Sequence, residues 1–163
     1  MSRLKTTILL IAATLVLAAC VSQPRSGPPP RRTAVDLDAV LPPQSLLRED
    51  TVTALTHDRS QSRLGYVGVW ATDGDKCAMM DQTPFDGFAV ITPDSIRMSS
   101  AACTIEPGQP GATSVRFDAT CKAKGRKTTQ RAISVQMLNS RNLYLTAAPG
   151  EPAVSMVRCR LQQ

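Results

Sequence analysis

The chain has 163 residues, enough for one ordinary domain, and carries 19 Lys or Arg against 13 Asp or Glu, a formal net charge of +6. Residues 63–163 hold twelve of these basic side chains and eight of the acidic ones, a balance of +4. This modest excess suits contact with anionic lipid, polysaccharide or an acidic protein. It lacks the dense basic stripe with stacking aromatic residues that nucleic-acid binding requires, so no nucleic-acid partner is expected.

The first twenty residues have the parts of a secretory signal peptide. Arg3 and Lys5 give a basic start, residues 8–17 are an apolar run, and small residues follow. The run is about ten residues long, whereas a helix needs about twenty to cross the hydrocarbon of a bilayer. The segment therefore predicts an export signal, residues 1–19, rather than a lasting membrane span.

The end of this signal carries its most specific motif. Leu17, Ala18 and Ala19 precede Cys20, and this run resembles the lipobox of bacterial lipoproteins. The resemblance implies cleavage before Cys20, a diacylglycerol on its sulfur and an acyl chain on its new amino group. Two or more acyl chains hold a protein firmly at a bilayer. In this family an Asp directly after the cysteine resembles an inner-membrane retention signal. Val21 in that position implies the outer membrane, and we expect its periplasmic face.

Residues 20–62 are predicted to form a flexible tether. Pro24 and the prolines at 28–30 favour extended polyproline conformations, which cannot build a core. Residues 35–40 and 45–55 can form short helical turns that dock on the following domain, although their periodicity is brief. A coil of this length reaches roughly 35 Å, enough to hold a domain clear of the lipid headgroups.

Residues 63–163 are predicted to form an all-β domain. Three stretches alternate apolar and polar side chains with the period of two that a half-buried strand shows. Their apolar positions are Val115, Phe117, Ala119, Cys121; Ile133, Val135, Met137; and Val157, Cys159, Leu161. Shorter apolar runs lie at 66–70, 88–91, 95–98 and 143–145, with turn residues at 92–94, 124–126, 139–142 and 149–150. Seven or eight short strands with regular turns predict a small antiparallel barrel or a two-sheet sandwich.

Four cysteines remain once Cys20 is assigned to lipid: Cys77, Cys103, Cys121 and Cys159. An even number of cysteines in an exported chain with a modest core predicts two disulfides. Three connectivities are open. We favour Cys121–Cys159 with Cys77–Cys103, because Cys121 and Cys159 both lie on the apolar face of their strands. The spacings lack the close cysteine pairs of a zinc site.

The residues offer little catalytic chemistry. The only histidine, His57, falls in the predicted tether, which removes histidine-based triads and multi-histidine metal sites from the domain. Asp73 and Asp75 flank Gly74 but lack the further ligands of a calcium loop. We therefore expect no enzymatic activity, no metal and no cofactor.

Two features are candidate partner contacts. Lys122, Lys124, Arg126 and Lys127 cluster at a predicted hairpin tip, where they can touch lipid phosphate or an acidic partner. The alternative is a solvated turn whose lysines protect a strand edge. Trp70, the sole tryptophan, is either a core residue or a partner-binding anchor.

The order of Gly68, Trp70, Cys77 and Cys103 resembles the small barrels of exported bacterial protease inhibitors. The resemblance implies a Cys77–Cys103 bridge and a segment before Trp70 that enters a protease cleft. That family typically has one disulfide, so the two further cysteines depart from its pattern. The sequence as a whole favours a lipid-anchored envelope protein whose β domain binds another envelope protein or a polysaccharide. Inhibition of a protease or lysozyme is the alternative.

Overall fold

The computed structural model describes residues 39–58, 64–123 and 127–161. Within them lie one α-helix, α1 (Glu49–Asp58), and two short 3₁₀ helices, Gln44–Leu46 and Gly74–Met79. The strands are β1 (Val40–Leu41), β2 (Gly68–Ala71), β3 (Phe88–Ile91), β4 (Ser95–Met98), β5 (Ala102–Thr104), β6 (Ser114–Lys122), β7 (Thr128–Met137), β8 (Asn142–Thr146), β9 (Val154–Arg158) and β10 (Arg160–Leu161). In this part of the chain, no helix is long and apolar enough to cross a membrane.

The eight strands β2 to β9 form a closed antiparallel barrel in which each strand pairs with the next along the chain. β9 pairs back onto β2, where Trp70 lies opposite Arg158. The predicted all-β domain with a small antiparallel barrel is therefore confirmed, and the sandwich alternative is not adopted. β5 was not predicted, because its three residues are too few to show an alternating pattern.

The barrel interior is filled by side chains. Tyr66 and Trp70 are at most 1% exposed, and the Tyr66 ring meets the Phe117 ring edge to face with 5.3 Å between centroids. The indole Nε1 of Trp70 donates a hydrogen bond of 2.9 Å to the carbonyl oxygen of Tyr66. An eight-stranded barrel is just wide enough for such a packed core. Apolar burial therefore stabilises the fold from inside.

A second apolar cluster lies outside the barrel, against β2 and β3. Val69 and Val90 point outward there and pack in one cluster with Ala54 and Leu55 of α1. β2 is buried on both faces as a result. The folded body thus includes residues 39–58, which the sequence analysis assigned to the tether.

The first and last described strands lie side by side. β1 pairs in parallel with β10, with Val40 opposite Arg160 and Leu41 opposite Leu161. Leu41 is buried in the outer cluster. The two ends of the described chain therefore meet on the same side of the barrel.

Two disulfides are present, as predicted, but the favoured pairing is wrong. The bonds join Cys77 to Cys159 and Cys103 to Cys121. Cys103 and Cys121 lie directly opposite each other on β5 and β6, with both side chains in the interior. Cys77 and Cys159 belong to the outer cluster instead.

The pairing was wrong because the apolar face of β9 points outward. The interior positions of this strand belong to Met156 and Arg158. Val157 lies opposite an outward residue of β2, and Cys159 and Leu161 contribute to the outer cluster. Alternation shows that one face is apolar but not which side of the barrel that face covers.

Candidate functional site

Arg97 on β4 ties the first turn of α1 to the barrel. Its guanidinium pairs with the carboxylate of Asp50 and lies 2.8 Å from Asp81 Oδ1 and 2.8 Å from Thr51 Oγ1. The side chain of Asp81 is fully buried, and its Oδ2 accepts from Thr51 Oγ1 at 2.6 Å and from the Arg48 backbone N–H at 3.0 Å. These buried charges compensate one another, so the cluster holds the helix in place.

Arg158 on β9 ties the other end of α1. Its guanidinium pairs with Asp58, the last residue of the helix, and its Cζ lies 4.1 Å from the centroid of the Trp70 ring. It also donates to the carbonyl oxygens of Val67 at 3.0 Å and Ser140 at 2.8 Å. At 8% exposure this cation is internal structure rather than an accessible binding group.

Sequence reasoning missed both arginines as structural residues. The carboxylate partners of Arg97 lie 47 and 16 positions away, and the partner of Arg158 lies 100 positions away. Periodicity reports only on neighbours along the chain, so no local pattern marks either residue. Arg158 alternates with apolar residues and was therefore assigned to a polar outer face.

Trp70, a candidate partner contact, is fully buried inside the barrel. Its ring packs against Arg158 and its indole N–H is already bonded to Tyr66. A partner-binding anchor needs exposed ring surface. Trp70 offers none and serves the core.

β6 and β7 form the longest hairpin, with strands of nine and ten residues. Ser114 lies opposite Gln136, and Lys122 lies opposite Thr128. The strands on both sides of the hairpin turn predicted at residues 124–126 pair antiparallel, and the turn itself lies outside the described residues.

The neighbouring strands cover only part of this hairpin. β5 pairs with Thr120–Lys122 alone, and β8 pairs with β7 from Ser134 to Met137. Within the described residues, the main chain of residues 128–132 is hydrogen-bonded only to β6. We call these five residues the β7 edge.

The surroundings of the β7 edge are basic. Lys122, Lys127 and Arg131 lie on or beside it, and the acid Asp118 lies opposite its last residue, Ala132. Lys122 and Lys127 are exposed and Arg131 is half-buried. None of these three forms an ion pair with a described residue.

Three predicted functional residues fall outside the described residues. These are Lys124 and Arg126 of the basic tip and Cys20, the predicted site of lipid attachment. The basic cluster is therefore located through Lys122 and Lys127, which flank the turn. The lipid site stays a prediction.

Two surface grooves accompany these features. One groove has a volume of about 680 Å³ and runs along Arg97, Phe85 and Phe88, beside the contacts that hold the first turn of α1. The other groove has a volume of about 600 Å³ and runs between Glu106, in the segment after β5, and Arg116 near the start of β6. Both grooves are lined by charges of both signs.

Across residues 39–58, 64–123 and 127–161, no group of three or more His, Cys, Asp or Glu side chains could hold a metal ion. Comparison with models of known protein families, with curated proteins and with solved structures finds no match for this chain. Its function is therefore argued from its own residues.

Proposed function

We propose that the chain is an exported lipoprotein, anchored at the outer membrane by lipid on Cys20, whose barrel binds another envelope component. The observation that supports a surface-binding role is the filled interior. Tyr66, Trp70 and Phe117 occupy the space that a ligand would need inside the barrel. Recognition then falls to the outside of the barrel, where the basic hairpin presents Lys122 and Lys127, which are exposed and have no ion-pair partner among the described residues.

The disulfides support the export part of this proposal. Cys77–Cys159 and Cys103–Cys121 are both buried bridges that suit an oxidising compartment such as the periplasm. The lipobox-like run ending at Cys20 provides the route to that compartment and the attachment to its membrane.

The anchor is tested by mass spectrometry of the mature amino terminus and by membrane fractionation of a Cys20→Ala variant. We expect a triacylated cysteine in the unaltered protein and loss of membrane attachment in the variant, with Ser22→Ala as the matched control. An unmodified Cys20, or release of the unaltered protein by salt without detergent, would contradict the anchor. Crosslinking in intact cells then tests the binding role, and failure to capture any envelope component from any surface position would contradict it.

Inhibition of a protease or lysozyme is the second candidate. The inhibitor resemblance implies a small barrel, and the chain forms one of eight strands. The implied Cys77–Cys103 bridge is absent, and Tyr66 and Val67, in the segment before Trp70, are buried and cannot enter a cleft as they stand. Sub-micromolar inhibition in a panel of proteases and lysozymes would favour this candidate over the first.

A further inference from the structure

The β7 edge is an unpaired strand edge within an otherwise closed barrel. A strand that is paired on one side presents alternate N–H and C=O groups on the other. Such an edge can accept one more strand from another polypeptide, which is a common mode of peptide recognition. The five residues of the β7 edge are enough for several such hydrogen bonds.

The charge around the edge identifies the chemistry of its occupant. Lys127 precedes the edge, Arg131 lies on it, and Lys122 lies at the end of the adjacent strand. Since no described acid pairs with these cations, their field acts on whatever approaches. An acidic segment is attracted and a basic one is repelled.

Two occupants from the same chain fit this edge poorly. A second copy of the β7 edge brings like charges together, which is how lysines protect strand edges from self-association. Residues 20–38 contain four prolines, which have no N–H to pair, and three Arg against two Asp. The occupant is therefore sought in another polypeptide.

We propose that the β7 edge binds an extended acidic polypeptide segment by strand addition. Main-chain hydrogen bonds to residues 128–132 supply the pairing, and Lys122, Lys127 and Arg131 select acidic side chains. Because paired positions of neighbouring strands point to the same face, Asp or Glu at alternate positions of the added strand lies either on the outer face, with Lys122, or on the face of Arg131, which lies opposite the interior residue Ala119. This inference rests on the proposed binding function and specifies its partner as a protein rather than a polysaccharide.

The probe is a synthetic end-blocked peptide that alternates Glu with Val or Thr, titrated into the full chain purified in neutral detergent. We expect those amides of residues 128–132 that point away from β6 to become protected from hydrogen exchange and to shift in the NMR spectrum. A peptide with Gln in place of Glu should bind at least tenfold more weakly. A peptide methylated on alternate main-chain nitrogens keeps the charge but loses the donors, and it should also bind at least tenfold more weakly.

A charge-reversal variant tests the protein side. Lys122→Glu with Lys127→Glu should weaken binding of the Glu peptide at least tenfold. Both side chains are exposed, so the fold should tolerate the change. Arg116→Glu is the matched control, because Arg116 is exposed on β6 at the far end of the same hairpin. It should leave binding within twofold of the unaltered protein.

Three results overturn the inference. The first is no protection of residues 128–132 at millimolar peptide, and the second is equal binding of the methylated peptide, which indicates charge attraction without strand addition. The third is perturbation of the β7 edge by phosphatidylglycerol vesicles, but not phosphatidylcholine vesicles, when the Glu peptide has no effect. That result assigns the cations to a membrane surface.

Crosslinking in cells separates failure of this inference from failure of the proposed function. A photoreactive residue at Gln130 reports on the β7 edge, and one at Asp86 reports on the groove that runs along Arg97 and Phe88. Capture of an envelope component only from Asp86 leaves the binding function standing and overturns the β7 edge as its site. Capture from no surface position contradicts the binding function itself.

Discussion

The side of the barrel that α1 covers and the β6–β7 hairpin differ in how exposed their positive charges are and in whether these charges have ion-pair partners. On the first, Arg158 is buried, Arg97 is half-buried, and each is paired with a carboxylate of α1. On the second, Lys122 and Lys127 are exposed and have no described ion-pair partner. A buried charge must be compensated within the protein, whereas an exposed one remains available to a ligand. The comparison separates cations that hold the fold from cations that can recognise a partner.

The two disulfides give the largest expected effects on stability. One lies in the outer cluster beside α1, and the other joins β5 to β6. Replacing Cys77 and Cys159 by Ala removes a bridge across 82 positions, and we expect it to lower the free energy of unfolding by about 4–5 kcal/mol. Replacing Cys103 and Cys121 removes a bridge across 18 positions, with an expected loss of about 3 kcal/mol. The entropy of loop closure grows with loop length, which sets the order. Urea unfolding of both variants measures it, and a larger loss for the second pair would contradict the contrast.

Arg158→Ala should give the next largest effect. It removes a donor from the carboxylate of Asp58 and from three backbone carbonyls, and it uncovers the Trp70 ring. We expect a loss of about 3 kcal/mol in urea unfolding, because breaking a buried pair leaves a charge uncompensated. Arg116→Ala, at an exposed arginine of the hairpin, should change stability by no more than about 0.5 kcal/mol. Equal effects would break the comparison.

Tyr66 gives a smaller effect that depends on pH. Burial raises the pKa of its phenol above the ordinary value of 10.0, against the opposing effect of the hydrogen bond from Gly108 N–H. Above pH 10 the unfolded phenol ionises while the folded one keeps its proton. Stability therefore falls as pH rises through this range.

Tyr66→Phe should remove this alkaline loss and lower stability at neutral pH by about 1 kcal/mol through the missing hydrogen bond. Unfolding measured at neutral and alkaline pH tests both expectations. Tyr144→Phe, at the more exposed tyrosine, is the control and should keep the alkaline loss. The same alkaline loss in both variants would contradict the assignment to Tyr66.

The hairpin lysines should affect stability least of all. Lys122→Ala with Lys127→Ala removes no described ion pair and relieves repulsion between like charges. We expect the free energy of unfolding, measured in urea, to stay within about 0.5 kcal/mol of that of the unaltered protein, with any change towards higher stability. A loss above about 1 kcal/mol would show that these lysines hold the fold as the buried arginines do.

Most of the barrel strands were predictable because an apolar run or an alternating pattern of apolar and polar residues marks each of them. β3 and β4 coincide with the apolar runs at 88–91 and 95–98. β7 carries the alternation at Ile133 and Val135, which point into the core. The basic cluster at 122–127 could also be predicted, because its members are close together in the sequence.

The rest depended on what lies across the fold. The apolar face of β9 points away from the barrel interior because α1, β1 and the Cys77–Cys159 bridge build a second core there. The β7 edge exists because β8 pairs with β7 only from Ser134 onward. The residues of β7 alone do not indicate where this pairing begins. The partners of Arg97 and Arg158 were hidden for the same reason.

The parallel pairing of β1 with β10 also has a mechanical consequence. Tension applied at the amino-terminal end of the described chain would first load this pairing in shear and then reach the arginine-held ends of α1. The Cys77–Cys159 bond would pass part of that load from the residue before β10 to the 3₁₀ helix Gly74–Met79. The barrel wall would thus be strained only after these outer attachments had yielded, which suits a body that is pulled from one end.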